Sequence, residues 1–106
     1  MGADGGSATA SARIEPPRLL RGNPPELRLP PGSVNRPDPL RITIEVLVAA
    51  NGEPDMRTLR VTGRGASENR EAIASWIRSA AFQPARQAGE PVAAVYRTSI
   101  GARVVR

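Results

Sequence analysis

The sequence predicts an α+β domain, in which a three-stranded antiparallel sheet carries one helix on one face and a proline-rich extended segment precedes it. Residues 40–48 and 92–105 alternate apolar and polar side chains, which is the period of a half-buried strand. Between them, residues 71–81 repeat apolar side chains at helical spacing. Residues 56–62 form a third, shorter stretch of strand type, so the predicted element order is β-β-α-β.

The first predicted strand leads directly into a hairpin. Asn51-Gly52 follows it, and both residues tolerate the positive φ that tight hairpin turns require. The second strand, residues 56–62, would point Leu59 and Val61 inward. The inward residues of the first strand are Leu40, Ile42, Ile44, Val46 and Val48.

The helix is bounded by start and stop signals. Residues 63–65, Gly-Arg-Gly, predict a flexible turn, Ser67 a helix N-cap and Glu68 a favourable charge in the first turn. The helix would end near Ala81, because Pro84 disfavours helical geometry in the residue before it. Its apolar face would comprise Ile73, Trp76, Ile77 and Ala80.

A second turn starts the third strand. Gly89 allows a tight turn and Pro91 sets the beginning of a strand expected from Val92 to about Val105. Arg97 would lie on its polar face together with Arg103. Its apolar face would hold Val92, Ala94, Tyr96, Ile100 and Val104.

The helical crossover fixes the expected topology. It returns strand three parallel to strand two, and a right-handed crossover that skips one strand places strand three beside strand one. The sheet order is then two, one, three, with strand three at an edge. An exposed edge is a template for a peptide or for a second copy of the chain. The helix-side core would contain Trp76, Ile77, Phe82, Ile42, Ile44, Val46 and Ile100.

Composition divides the chain into three parts. Residues 1–13 are rich in Gly, Ala and Ser, which predicts a disordered tail. Residues 14–39 hold eight of the eleven prolines, so this lead-in favours extended or polyproline conformations. Residues 40–106 would form the compact domain. Apolar residues that would anchor the lead-in are Leu19, Leu20, Leu27, Leu29 and Val34.

The composition also limits function. Neither Cys nor His is present, and the ten carboxylates are scattered, so we expect no enzyme activity, no metal site and no cofactor. The net charge of +5 raises nucleic-acid binding as an alternative, but the arginines are dispersed and no aromatic residues interleave with them. An acidic partner or an anionic membrane would be attracted instead. No apolar run is long enough to span a membrane and residues 1–12 lack a secretory signal, so any membrane anchor is expected outside this chain.

The succession of helix, aromatic residue, Pro-Ala step, glycine turn and Pro-Val strand start resembles the C-terminal domain of TonB-type energy transducers. The resemblance spans about residues 17–105 and includes the proline-rich lead-in from Pro17 to Pro25. Its most specific part is residues 71–92. The residues that carry it are Ala72, Ile73, Trp76, Phe82, Pro84, Ala85, Gly89, Pro91 and Val92.

This resemblance implies a periplasmic domain of a protein anchored in the inner membrane and driven by the proton gradient. The last strand of such domains receives a short segment, the TonB box, from an outer-membrane transporter. Tyr96, Arg97, Ser99 and Arg103 would then give selectivity, although the parity of Tyr96 also suits a core residue. The receiving edge carried over by position is Val95, Tyr96, Arg97, Thr98, Ser99, Ile100, Gly101 and Ala102.

Two departures from the family pattern leave an alternative open. The family has a short helix before strand one, which Pro37 and Pro39 rule out here. Its serine-rich step after strand two is Thr-Gly-Arg-Gly at residues 62–65. The alternative function is a structural or scaffolding domain of another cell-envelope machine, with another envelope protein as partner and no transporter coupling.

Overall fold

The computed structural model of the protein describes residues 13–30 and 40–102. The predictions for the tail up to residue 12, for Val34, Pro37 and Pro39, and for Arg103 and Val104 lie outside the described residues. The elements are β1 (Ile14–Glu15), β2 (Arg18–Arg21), β3 (Leu40–Val48), β4 (Pro54–Arg64), α1 (Ala66–Ser79), β5 (Ala81–Gln83), β6 (Ala85–Gln87), β7 (Glu90–Val92) and β8 (Ala94–Ala102).

The main sheet has the order β4-β3-β8, and both of its pairings are antiparallel. The predicted order of two, one, three is therefore confirmed. The central strand β3 places all five of its predicted inward side chains in the core, each at most 1% exposed. Burial of so many branched aliphatic side chains on one face fixes the register, since a slip of one residue would expose them all.

Helix α1 covers the inner face of this sheet. Ile73, Trp76 and Ile77 are buried in the same cluster as the β3 side chains, as their spacing predicted. Phe82, just beyond the helix, is also buried there. The two large aromatic residues are thus part of the core that holds the helix on the sheet.

The predicted turn at residues 63–65 is wrong in part, because Gly63 and Arg64 continue β4. Gly63 pairs with Ile42 at φ 107°. A Cβ there would collide with the carbonyl oxygen of Arg41, so glycine is what lets the two strands approach. Gly65 alone makes the reversal into the helix, at φ 94°.

The predicted N-cap is also wrong. Gly65 occupies the N-cap position, and Ser67 lies inside the first turn, where its hydroxyl contacts a carboxylate oxygen of Glu68 at 3.2 Å. Glu68 does stand in the first turn as expected. The helix ends at Ser79, two residues earlier than predicted, because the chain from Ala81 is extended and pairs with β2.

The third predicted strand is two strands. β7 ends at Val92 and pairs with β6, whereas β8 begins at Ala94 and joins the main sheet. The β6–β7 turn consists of Ala88 and Gly89, which both have positive φ (53° and 83°). Gly89 therefore makes the tight turn that the sequence indicated, but within a separate small hairpin.

The lead-in lies against the domain. β2 pairs with β5 and β1 pairs with β6, both antiparallel. Leu19 and Leu27 pack on the core, whereas Leu20 and Leu29 are exposed, so these two do not act as the expected anchors.

A single buried side chain reinforces this attachment. Asn69 of α1 accepts a hydrogen bond from the Arg28 backbone N–H (2.5 Å) and donates to the Arg28 carbonyl oxygen (2.9 Å). Its amide nitrogen also donates to the Gly65 carbonyl oxygen at 2.8 Å. The amide group of Asn69 thus pairs with the lead-in much as a neighbouring strand would.

Candidate functional site

The outer edge of β8 is the candidate site. β8 pairs with β3 through nine consecutive residue pairs, from Ala94 opposite Val48 to Ala102 opposite Leu40. Within the described residues no strand pairs with its other side. Half of the backbone N–H and C=O groups of an edge strand point away from the sheet, so this edge offers main-chain hydrogen bonds to an added strand.

The face of β8 that points toward the helix is half-buried. Its side chains include Tyr96 and Ile100, which pack against the core cluster. The Tyr96 ring meets Phe82 edge-on, with centroids 5.0 Å apart and planes at 64°. Tyr96 therefore packs against the core, as its place on the apolar face of the predicted strand allowed, and its side chain remains partly exposed.

The opposite face of β8 is exposed. Arg97 forms an ion pair with Glu45 on β3, with Nε 3.4 Å from Oε2. The Ser99 and Thr43 hydroxyl oxygens lie 3.5 Å apart. Val95 is 54% exposed. This face of the strand therefore presents one apolar, one cationic and one hydroxyl side chain in sequence.

The structure places all eight predicted site residues in this one strand, so they form a continuous edge. Val95, Arg97, Ser99 and Gly101 face one side, and Tyr96, Thr98 and Ile100 the other. Ala102 ends the strand.

A depression beside Val95 was not predicted from the sequence. It has a volume of about 380 Å³ and is lined by Glu45, Val46, Leu47, Thr58, Arg60 and Val95. It lies where β4 bulges, because the β3–β4 register shifts between Glu45 and Leu47.

Thr58 holds this bulge in place. Its hydroxyl accepts the Leu47 backbone N–H at 2.9 Å and donates to the Asp55 carbonyl oxygen at 2.7 Å. The sequence signal that could have indicated a bulge is the loss of strict alternation between residues 55 and 60.

No cluster of three or more potential metal ligands occurs among the described residues. Hydrogen bonds from the Arg57 guanidinium lower the pKa of Asp55; Arg57 is exposed, Asp55 is half-buried, and the pair lies outside the β8 edge. Trp76 has a buried indole N–H that lacks a partner among these residues, and it lies beneath Gly22.

The helix in the described part of the chain lacks the length and hydrophobicity that a membrane span requires.

Comparison with known proteins adds no further assignment. No protein-family model matches the sequence. No curated protein matches it significantly.

Proposed function

We propose that this chain is a periplasmic interaction domain of the TonB C-terminal type, which binds an extended segment of a partner protein along the outer edge of β8. The observation that carries the proposal is the nine-residue strand with one side unpaired among the described residues. Main-chain hydrogen bonds would supply affinity, and alternate side chains would supply selectivity.

The partner proposed is an outer-membrane transporter, whose short TonB-box segment would pair with residues 95–102. Through this contact the domain would couple inner-membrane energy to transport. The order of sequence signals in residues 71–92 supports this identification. In support of strand addition, Tyr96 and Ile100 are only half-buried, so an added strand would complete the burial of both side chains.

A pair of modified peptides tests strand addition directly. Only one edge of an added strand bonds to β8, so alternate amides of the bound peptide point toward β8 and away from it. N-methylation of the amides that point toward β8 should abolish binding, whereas N-methylation of the other set should leave it intact. We expect a TonB-box peptide to shift the backbone amides of Val95 to Gly101 in NMR titrations. Equal binding by both methylated peptides, or shifts confined to α1, would contradict the proposal.

A peptide that fails to bind at millimolar concentration would favour the scaffolding role instead, with another envelope protein as partner. A second copy of the chain could also occupy the edge, since β8 would pair with its own symmetry mate. Sedimentation equilibrium over a range of protein concentrations measures this dimer. Peptide and dimer would compete for one edge, so added peptide should dissociate the dimer.

A further inference from the structure

The face of the main sheet that points away from α1 is organised in rows across the three strands. An apolar row, in which Asp55 is the β4 residue, is followed by a basic row, a hydroxyl row and a second basic row. In that order the rows are Asp55, Leu47 and Val95; Arg60, Glu45 and Arg97; Thr62, Thr43 and Ser99; and Arg64, Arg41 and Gly101.

Charge on these rows is unbalanced. They hold four arginines, one glutamate and one aspartate, so their net charge is +2. The aspartate, Asp55, is itself ion-paired with Arg57 at 3.0 Å. Glu45 pairs with Arg97, whose side chain is 70% exposed, and such an exposed ion pair is weak. Arg60 and Arg41 form no ion pair within the described part of the chain, and both are exposed.

The apolar row supplies an anchoring position. Val95 and Leu47 line the depression of about 380 Å³ where β4 bulges away. An aliphatic side chain of a partner would fit there and cover the exposed surface of Val95. The first basic row borders the depression through Arg60 and through Glu45, which is ion-paired with Arg97. The same contact would therefore bring an acidic group of the partner close to a guanidinium.

We infer that this face binds an acidic segment of a partner protein, with one aliphatic side chain in the depression and carboxylates over the two basic rows. Rows two residues apart lie about 7 Å apart, so the carboxylates would stand about 7 Å and about 20 Å from the aliphatic side chain. This contact uses side chains on the face and needs no hydrogen bond from the β8 edge.

The chain does not itself supply such a segment. The stretches outside the described residues carry two aspartates, Asp4 and Asp38, against three arginines, Arg36, Arg103 and Arg106. A second copy of the chain also carries a net charge of +5, so it would be repelled by the positive charge of this face. The face has no aromatic side chain on which nucleic-acid bases could stack, which favours a protein segment.

The test uses a synthetic Gly/Ser peptide with leucine at one position and glutamate two and six positions later. Titrated into the labelled full chain at low salt, it should shift the amides of Leu47, Val95 and Arg97. The double variant Arg60→Gln, Arg97→Gln should weaken binding by about tenfold or more, and added salt should weaken it further. Arg78→Gln, an exposed arginine of α1, is the matched control and should bind as the parent does.

Three results would overturn the inference. One is equal binding by a peptide with lysine in place of each glutamate. Another is unchanged affinity in the double arginine variant. The third is tighter binding of a duplex oligonucleotide through the same arginines. Because N-methylation of this peptide should leave its affinity unchanged, loss of strand addition at β8 and loss of this contact are distinguishable.

Discussion

Replacing Asn69 with alanine is expected to weaken the attachment of the lead-in to α1. The Asn69 side chain is 1% exposed and makes three hydrogen bonds, two to the Arg28 backbone and one to the Gly65 carbonyl oxygen. At about 1 kcal/mol of net stability for each bond, their loss costs about 3 kcal/mol. Alanine recovers about 0.5 kcal/mol through its higher helix propensity.

The expected loss is thus about 2.5 kcal/mol, which corresponds to a fall of roughly 10–20 °C in the melting temperature for a domain of this size. Thermal unfolding followed by circular dichroism measures it. The fluorescence of Trp76, the only tryptophan, reports on α1 where it lies beside Gly22 of the lead-in. Hydrogen exchange at the Arg28 amide should accelerate more than exchange within β3.

Glu71→Ala is the matched control, since Glu71 is exposed on the same helix. It should change the free energy of unfolding by no more than about 0.5 kcal/mol. The reasoning would be refuted if Asn69→Ala melted within a few degrees of the parent, or if the Arg28 amide kept its protection.

Three further outcomes follow from other features of the fold. Phe82→Ala removes a core ring that is 6% exposed and should cost about 3–5 kcal/mol in urea unfolding; a loss below about 1 kcal/mol would contradict that placement. Gly63→Ala should destabilise more than Gly89→Ala, since only the first meets backbone atoms; equal losses would mean that positive φ alone decides. The pKa of Asp55 should lie below its usual range by NMR titration and rise in Arg57→Gln. Because the folded-state pKa is lowered, the small contribution to stability is present above the ordinary Asp pKa and disappears as pH falls through the lowered value.

The main sheet was predictable because its signals are local and repetitive. The alternation in β3 and the helical spacing of Ile73, Trp76 and Ile77 each reflect burial of one face of the element. Such burial produces a periodic pattern of apolar residues that is visible in the sequence. The order β4-β3-β8 followed from the β-β-α-β element order and a right-handed crossover that skips one strand. Because β8 is last in this order, the same prediction placed the candidate site at an edge of the sheet.

What escaped prediction depends on contacts between distant parts of the chain. Gly63 was assigned to a turn because its approach to the Arg41 carbonyl is visible only once the strands are paired. Pairing of β2 with β5 joins residues sixty or more positions apart, and neither strand has an alternating pattern. The bulge at Thr58 was missed because the break in alternation at residues 55–60 is a weak signal, and the hydroxyl that replaces a ladder partner there is recognisable only once β3 and β4 are paired.

The position of β8 at the sheet edge also has a kinetic consequence. The β3–β4 hairpin closes a short loop at Asn51-Gly52, whereas β8 joins β3 only after some fifty intervening residues are in place; the contact of Thr43 with Ser99 spans 56 positions. Loop closure of that length is slow compared with hairpin formation. We expect β8 to dock last in folding and to open first in native-state hydrogen exchange. A bound partner strand would therefore stabilise β8, the strand of the sheet that unfolds most readily, against local opening.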